Sequence, residues 1–165
     1  MKKVLMVISP RLFQDFEYYI PRKKLEAEGF QIKIASKEVK EAIGGMGTKV
    51  QVDFDIKEVD PEDFDMVIFV GGPGARVYFK DKYALNIAKK AKKVAAICIA
   101  PLILANAGVL KGKKATVFPV YSKNLEEFGA IYSKEEVVQD GNIITACGPE
   151  AVEQFADKII KLLKK

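Results

Sequence analysis

Val94-Ala95-Ala96-Ile97-Cys98-Ile99-Ala100-Pro101 is the stretch from which the fold can be read. Val94 to Ile97 is a short apolar run, as expected of a strand covered on both faces, and it passes into Cys98 without a turn signal. Pro101 then opens an apolar helix through Asn106 that Gly108 closes, since proline suits a first helical turn and glycine the position past the last. A strand that bends sharply into a helix, with small residues around the bend, resembles a nucleophile elbow. Such a bend lifts its side chain out of the sheet. The helix start behind it favours an anion, which predicts an accessible thiol with a pKa drawn down to roughly 3.5–7.5.

The same alternation continues outward. Lys3 to Ser9 (KVLMVIS) and Met66 to Val70 read as buried strands, and Gln31 to Ser36 alternates as another. Asp15 to Glu28 has helical spacing, with Phe16, Ile20 and Leu25 apolar among charges and Gly29 as the stop. Glu38 to Val52 reads as extended segments around a Gly44-Gly45 turn, and Asp60-Pro61 as an acidic turn. Lys82 to Lys92 reads as an amphipathic helix, Ala115 to Phe118 as a strand and Lys123 to Phe128 as a helix. Val137 to Ala146 is a hairpin turning at Asp140-Gly141, and Gly148-Pro149 introduces a last helix. Strands alternating with helices predict an α/β fold, a mainly parallel sheet with helices on both faces. Without repeats or linkers, residues 1–165 read as a single domain.

Composition narrows the function. The hydrophobic fraction of 49% is that of a globular chain. No apolar run is long enough to cross a bilayer and no signal peptide is visible, so a cytoplasmic protein is expected. The 2 cysteines, Cys98 and Cys147, make no disulfide framework and are expected as free thiols. The net charge of +5 comes from lysines interleaved with acids on helix surfaces, which argues against nucleic acid as a partner. Abundant Lys and Glu fit a heat-adapted source. Histidine is absent.

In an open α/β sheet, ligands gather outside the carboxyl ends of the strands. Three loops leave that edge here: Pro10 to Phe16, Gly71 to Ala75 and Cys98 to Pro101. Gly71-Gly72-Pro73-Gly74 lacks the ending of a phosphate-binding loop. Beside Cys98, however, the amides of Gly72 and Ile99 can point at one oxygen and form an oxyanion hole. Glu17, if it faces Cys98, is expected to be partly protonated and to donate to the sulfur, because burial raises a carboxyl pKa. All three arginines, Arg11, Arg22 and Arg76, fall in or near segments approaching this edge, which suggests a fork for a carboxylate or phosphate. Cys147 is assigned a structural role.

Several motifs together carry a family resemblance: Asp15-Phe16-Glu17, Tyr19-Ile20-Pro21, Val70-Gly71-Gly72, Ala96-Ile97-Cys98, Ala107-Gly108-Val109-Leu110 with Gly112, and Asp140-Gly141-Asn142 leading to Gly148-Pro149. Over essentially its whole length the sequence resembles the ThiJ/PfpI family of the class I glutamine amidotransferase-like superfamily. The resemblance implies a flavodoxin-like three-layer sandwich and a homodimer or higher homo-oligomer. It also implies Cys98 as nucleophile, Glu17 as its carboxyl partner, and the Gly72 and Ile99 amides as the oxyanion hole.

Three departures shape the expected activity. PfpI-type members carry His directly after the nucleophile, where Ile99 stands. Members similar to the parkinsonism-associated deglycase carry a His before a proline in the following strand, where Phe118 precedes Pro119. Gln14 replaces an acidic residue. Without any histidine, a homo-oligomer cannot supply one either, and general-base assistance is worth roughly 10²–10⁴ in rate. Protease and glutaminase activity are therefore expected to be absent or very weak. The resemblance implies instead a cysteine-dependent enzyme of the glyoxalase III or protein deglycase kind, acting on small α-oxoaldehydes or their protein adducts. Arg11, Arg22, Arg76 and Phe118 are the expected substrate-binding residues, with no cofactor, metal, nucleic acid or membrane involved. The alternative is a redox-sensing stress protein whose Cys98 oxidises reversibly; a third reading is a degenerate member that binds small anions without turnover.

Overall fold

Every apolar run above falls on a strand in the computed structural model, which describes residues 1–165. In chain order the chain forms β1 (Lys3–Val7), β2 (Arg11–Phe13), α1 (Asp15–Ala27), β3 (Gln31–Ser36), β4 (Glu41–Gly44), β5 (Lys49–Gln51), β6 (Phe54–Asp55) and β7 (Met66–Phe69). There follow α2 (Lys82–Lys90), β8 (Val94–Ile97), α3 (Pro101–Asn106), β9 (Lys114–Ala115) and α4 (Ser122–Glu127). The chain closes with β10 (Ile131–Tyr132), β11 (Val137–Asp140), β12 (Ile143–Ala146) and α5 (Val152–Leu163). No helix is long and apolar enough to cross a membrane.

The central sheet has 7 strands in the order β11-β12-β8-β7-β1-β3-β6. All neighbours are parallel except β11 and β12, whose antiparallel pairing is the expected hairpin. Each strand presents alternate residues to opposite faces. Val4, Met6, Ile68, Ile97 and Ala146 pack with Leu25 of α1 and Phe155 and Ile159 of α5. Leu5, Val7, Val67, Phe69 and Ala96 pack with Ile87 of α2 and Leu104 of α3. Two apolar cores, one on each face, explain why β1, β7 and β8 read as continuous runs rather than alternating ones. The result is the mainly parallel three-layer sandwich.

The strand order reverses beside β1: α1 leads from it to β3 on one side, while β7 lies on the other. Loops diverging at such a point open a crevice at the carboxyl edge. Two expectations change there. Within the expected Pro10–Phe16 loop, Arg11–Phe13 forms β2, which joins β4 and β5 in a separate 3-stranded sheet. The expected Ala115–Phe118 strand pairs only as far as Ala115. Beyond it the Thr116 amide donates to Thr145 Oγ1 at 2.9 Å and the Phe118 amide to the Cys98 carbonyl at 2.8 Å, so the segment turns from the sheet towards the elbow.

Helix α1 buries Glu17 and Leu25 but not all of its expected apolar positions. Gln14 caps it by accepting from the Glu17 amide at 2.9 Å, and the buried face carries Glu17, Tyr18, Pro21 and Leu25. Phe16 is 48% exposed. The helix thus turns the Glu17 carboxylic acid and the Tyr18 ring inward and leaves the Phe16 ring outside.

Candidate active site

Cys98 is one of the non-glycine residues with a left-handed backbone, at φ 65°. That conformation costs on the order of 1–2 kcal/mol for an L-residue. Both of its backbone groups are tied down: its amide donates to the Ala146 carbonyl at 2.9 Å and its carbonyl accepts from Phe118. The next turn is held by Ala100 donating to Ile97 at 3.1 Å and Leu102 to Ile99 at 3.0 Å. The bend is therefore over-determined by its surroundings.

The Cys98 side chain is 8% exposed and borders a cavity of about 260 Å³, shared with Gly72, Arg76, Ile99, Phe118 and Tyr121. Apolar groups dominate these walls, and Arg76, whose Nη2 donates to the Tyr121 hydroxyl at 2.6 Å, supplies the polar side. A larger open cleft of about 760 Å³ runs past Lys37, Asp81 and Tyr83 with Arg76 on its edge, but no cysteine, serine or threonine lines it.

Glu17 is fully buried. Its Oε1 accepts from the Gly71 amide at 3.0 Å, while Oε2 has no hydrogen-bond partner of ordinary geometry. Burial raises this carboxyl to about 8, with the Gly71 amide and the Cys98 thiol opposing and the charge of Glu150 adding to the rise. Near neutrality Glu17 thus holds a proton, and the Cys98 thiol is the side chain with which its carboxyl interacts. Gly72, at φ 97°, occupies backbone space that a side-chain-bearing residue rarely enters; an added Cβ would also meet the Gln14 nitrogen at 2.5 Å.

The thiol departs from expectation. Burial, and then the charge of an ionised Glu17, push Cys98 up to about 12, while the amides of Gly72 and Ile99 pull it down. The downward shift expected from a helix start is outweighed: α3 is only Pro101–Asn106, too short a dipole to offset the loss of water. Repulsion from Glu17 exists only once that carboxyl ionises. The two groups therefore titrate as a pair, losing one proton first and dividing the second between oxygen and sulfur.

The structure brings together Cys98, Glu17, the Gly72 and Ile99 amides, Arg76 and Phe118. It does not bring the other arginines to this cavity. Arg22 lies five positions beyond Glu17 on α1, on another face, where it binds the Tyr18 hydroxyl and, at 3.4 Å, Glu26. Arg11 is exposed on β2. The three-arginine fork is not assembled within one chain. Tyr121, which lines the cavity, and Glu150, which biases Glu17, carried no sequence signal; both arrive on irregular segments after Pro119 and Pro149. Cys147 donates to Glu150 Oε1 at 3.4 Å, and burial, followed by that carboxylate, raises it to about 11.

Comparison with known proteins agrees with this architecture. The model of the DJ-1/PfpI family matches residues 2–162. An uncharacterised protein of Methanocaldococcus jannaschii is 39% identical over 99% of this chain and 83% of its own. Deglycase PfpI of Pyrococcus furiosus is 34% identical over 97% of this chain and 99% of its own. The crystal structure of a ThiJ/PfpI domain protein from Brachyspira murdochii superposes with a TM-score of 0.95 at 33% identity, covering 98% of this chain and 96% of that one.

Proposed function

The chain belongs to the DJ-1/PfpI family, and on that premise we propose that it is a cysteine-dependent enzyme of the deglycase and glyoxalase III kind, acting on small α-oxoaldehydes or their protein adducts. The observation that carries the reading is the pairing of Cys98 with a buried carboxyl that keeps its proton to about pH 8. Deglycase-named relatives support the reaction class.

The chemistry fits a site without histidine. Cleaving an amide requires a general acid for the departing amine, a role histidine fills in Cys-His and Ser-His enzymes. Addition to an aldehyde expels nothing, so that requirement lapses for methylglyoxal, where the only group expelled later is the Cys98 thiolate, a weaker base than an amide nitrogen. In the proposed reaction the pair reacts after losing one proton to solvent, with the remaining proton on Glu17, and the Cys98 thiolate bonds to the aldehyde carbon. The Gly72 and Ile99 amides hold the developing oxyanion, and the Glu17 carboxyl protonates it to a hemithioacetal. The same carboxylate then carries the hydrogen of the former aldehyde carbon, as a proton, to the neighbouring carbonyl carbon, while the hemithioacetal hydroxyl proton passes to the oxygen of that carbonyl. This leaves a thioester of a 2-hydroxy acid. Water hydrolyses the thioester and restores the thiol, so that methylglyoxal plus water becomes lactate. Phe118 walls the cavity, and Arg76, which also lines it, is the cation that would hold the second carbonyl oxygen.

The test is lactate release from methylglyoxal by the pure protein. Cys98→Ala and Glu17→Gln abolish it; rates equal to wild type in those variants overturn the reading.

One observation favours a second reading, reversible oxidation of Cys98. Oε2 of Glu17 is buried without a partner, and an oxygen added to the sulfur would accept its proton. A reducing cytoplasm suits both readings, since it keeps the two free thiols reduced. We also expect self-association, supported by the exposed apolar group Phe16, Tyr19 and Met46 beside the β4–β5 turn. Light scattering that finds only monomers would remove that expectation.

A further inference from the structure

We propose that Cys147 is a resolving thiol for Cys98: a sulfenic acid formed on Cys98 condenses with Cys147 into an internal disulfide that reversibly withdraws the nucleophile. This goes beyond aldehyde turnover and does not depend on it.

The placement comes from the sheet. Strands β12 and β8 are parallel neighbours, with Ile143 opposite Val94 and Ala146 opposite Ile97. At the start of that ladder the Val94 amide donates to Asn142, the residue before its partner. At its end the Cys98 amide donates to Ala146 in the same way, at 2.9 Å. The pattern continues the register by one step and sets Cys98 level with Cys147. Adjacent strands lie about 4.7–4.9 Å apart, inside the roughly 4.4–6.8 Å between Cα atoms that a disulfide spans. Both cysteines also pack in the core beneath α1 and α5.

At rest the sulfurs have other partners. Cys98 interacts with Glu17 and the Gly72 and Ile99 amides, and Cys147 donates to Glu150. Closing the bridge therefore requires both side chains to rotate and the elbow to shift, since the Cys98 Cβ at rest lies against Gly71, on the side of β8 away from β12. Glu150 is close enough for its charge to act on Glu17, so the two thiol–carboxyl pairs share one neighbourhood.

The steps balance with a hydroperoxide as oxidant. The Cys98 thiolate attacks the terminal peroxide oxygen, the O–O bond breaks, and the peroxide leaves as alcohol or water while the sulfur loses two electrons. The Cys147 sulfur then attacks the sulfenic sulfur. The S–O bond breaks, the Cys147 proton passes to Glu150 and on to the departing hydroxide, and water leaves. A dithiol reductant reverses the bridge. Peroxide is small enough to enter the cavity beside Cys98, and Cys147 needs no solvent exposure of its own.

Trypsin places the cysteines on separate peptides, 94–111 and 135–158, so the bridge is directly readable. Equimolar hydrogen peroxide is expected to lower the mass of the monomer by two hydrogens and to link these peptides, with dithiothreitol releasing them. In Cys147→Ser the link is absent and Cys98 accumulates two or three added oxygens. Three outcomes overturn the proposal: wild-type Cys98 reaching sulfinic acid as fast as the variant, a bridge only between separate chains, or no oxidation of Cys98. The wild-type peptide map decides even if the variant folds poorly, and loss of methylglyoxal turnover leaves it untouched.

Discussion

Glu17 meets Cys98 across Gly71, where an added Cβ would lie 2.5 Å from Glu17 Oε1 and 2.6 Å from the Cys98 Cβ. The absence of one methyl group is what lets an acid on α1 touch a thiol at the end of β8. Gly71→Ala is therefore expected to separate the pair, at an overpacking cost of about 1–3 kcal/mol. The backbone of Gly71 is not left-handed, so the penalty is steric. A lowered melting temperature together with lost lactate release is the expected result; a variant with wild-type turnover would show that the contact is dispensable.

The pair also dictates how Cys98 reactivity follows pH. Glu17 titrates near about 8 and the Cys98 thiol, facing ionised Glu17, near about 12. In wild type the alkylation rate should rise to the first value, level off while one proton is shared, and rise again towards the second. Glu17→Gln leaves one titrating group, so its profile should be a single step. Two superimposable profiles would mean that no proton is shared.

Stability should carry the same signature. An unfolded Glu17 loses its proton near 4.5, whereas the folded one keeps it to about 8. Between those values the folded state binds more protons than the unfolded, so stability falls as pH rises. The stabilisation is complete below about 4.5 and gone above about 8, a difference on the order of a few kcal/mol. Glu17→Gln, neutral throughout, should gain on wild type by several degrees in melting temperature between about pH 5 and pH 8. A constant offset between the two melting curves would contradict the burial of a neutral acid.

Sequence reveals what depends on neighbours along the chain and hides what depends on neighbours across it. KVLMVIS and VAAIC announce a doubly covered sheet because their apolar runs are local, and Pro101 and Gly108 mark the ends of α3 for the same reason. The facing of α1 came from the resemblance, which set Glu17 against Cys98; helical spacing alone shows which residues share a side but not which side the Gln14 cap turns inward. Arg22, near the edge in sequence, falls on another face of the helix, against Tyr18 and Glu26. The short β2 exists only because β4 pairs with it. The direction of the Cys98 shift depends on how much water the assembled fold excludes, and a strand–helix junction does not record that. Nor does it record that β12 lies beside β8, the fact that levels Cys147 with Cys98.

The missing histidine can be returned to the cavity. Phe118 lines it beside Cys98, and its amide already bonds the Cys98 carbonyl at 2.8 Å, so a substituted side chain starts from a fixed backbone. An imidazole there would stabilise the thiolate by ion pairing, and Cys98 should alkylate faster near neutrality. It would also supply the general acid that a leaving group needs. Phe118→His should therefore gain hydrolysis of an activated aryl ester by roughly 10²-fold or more, while methylglyoxal turnover, whose addition step expels nothing and whose last leaving group is the Cys98 thiolate itself, changes far less. Equal enhancement of both reactions would show that histidine serves the aldehyde chemistry too. The wild-type site would then be a crippled version of a histidine-dependent one, not a site suited to addition.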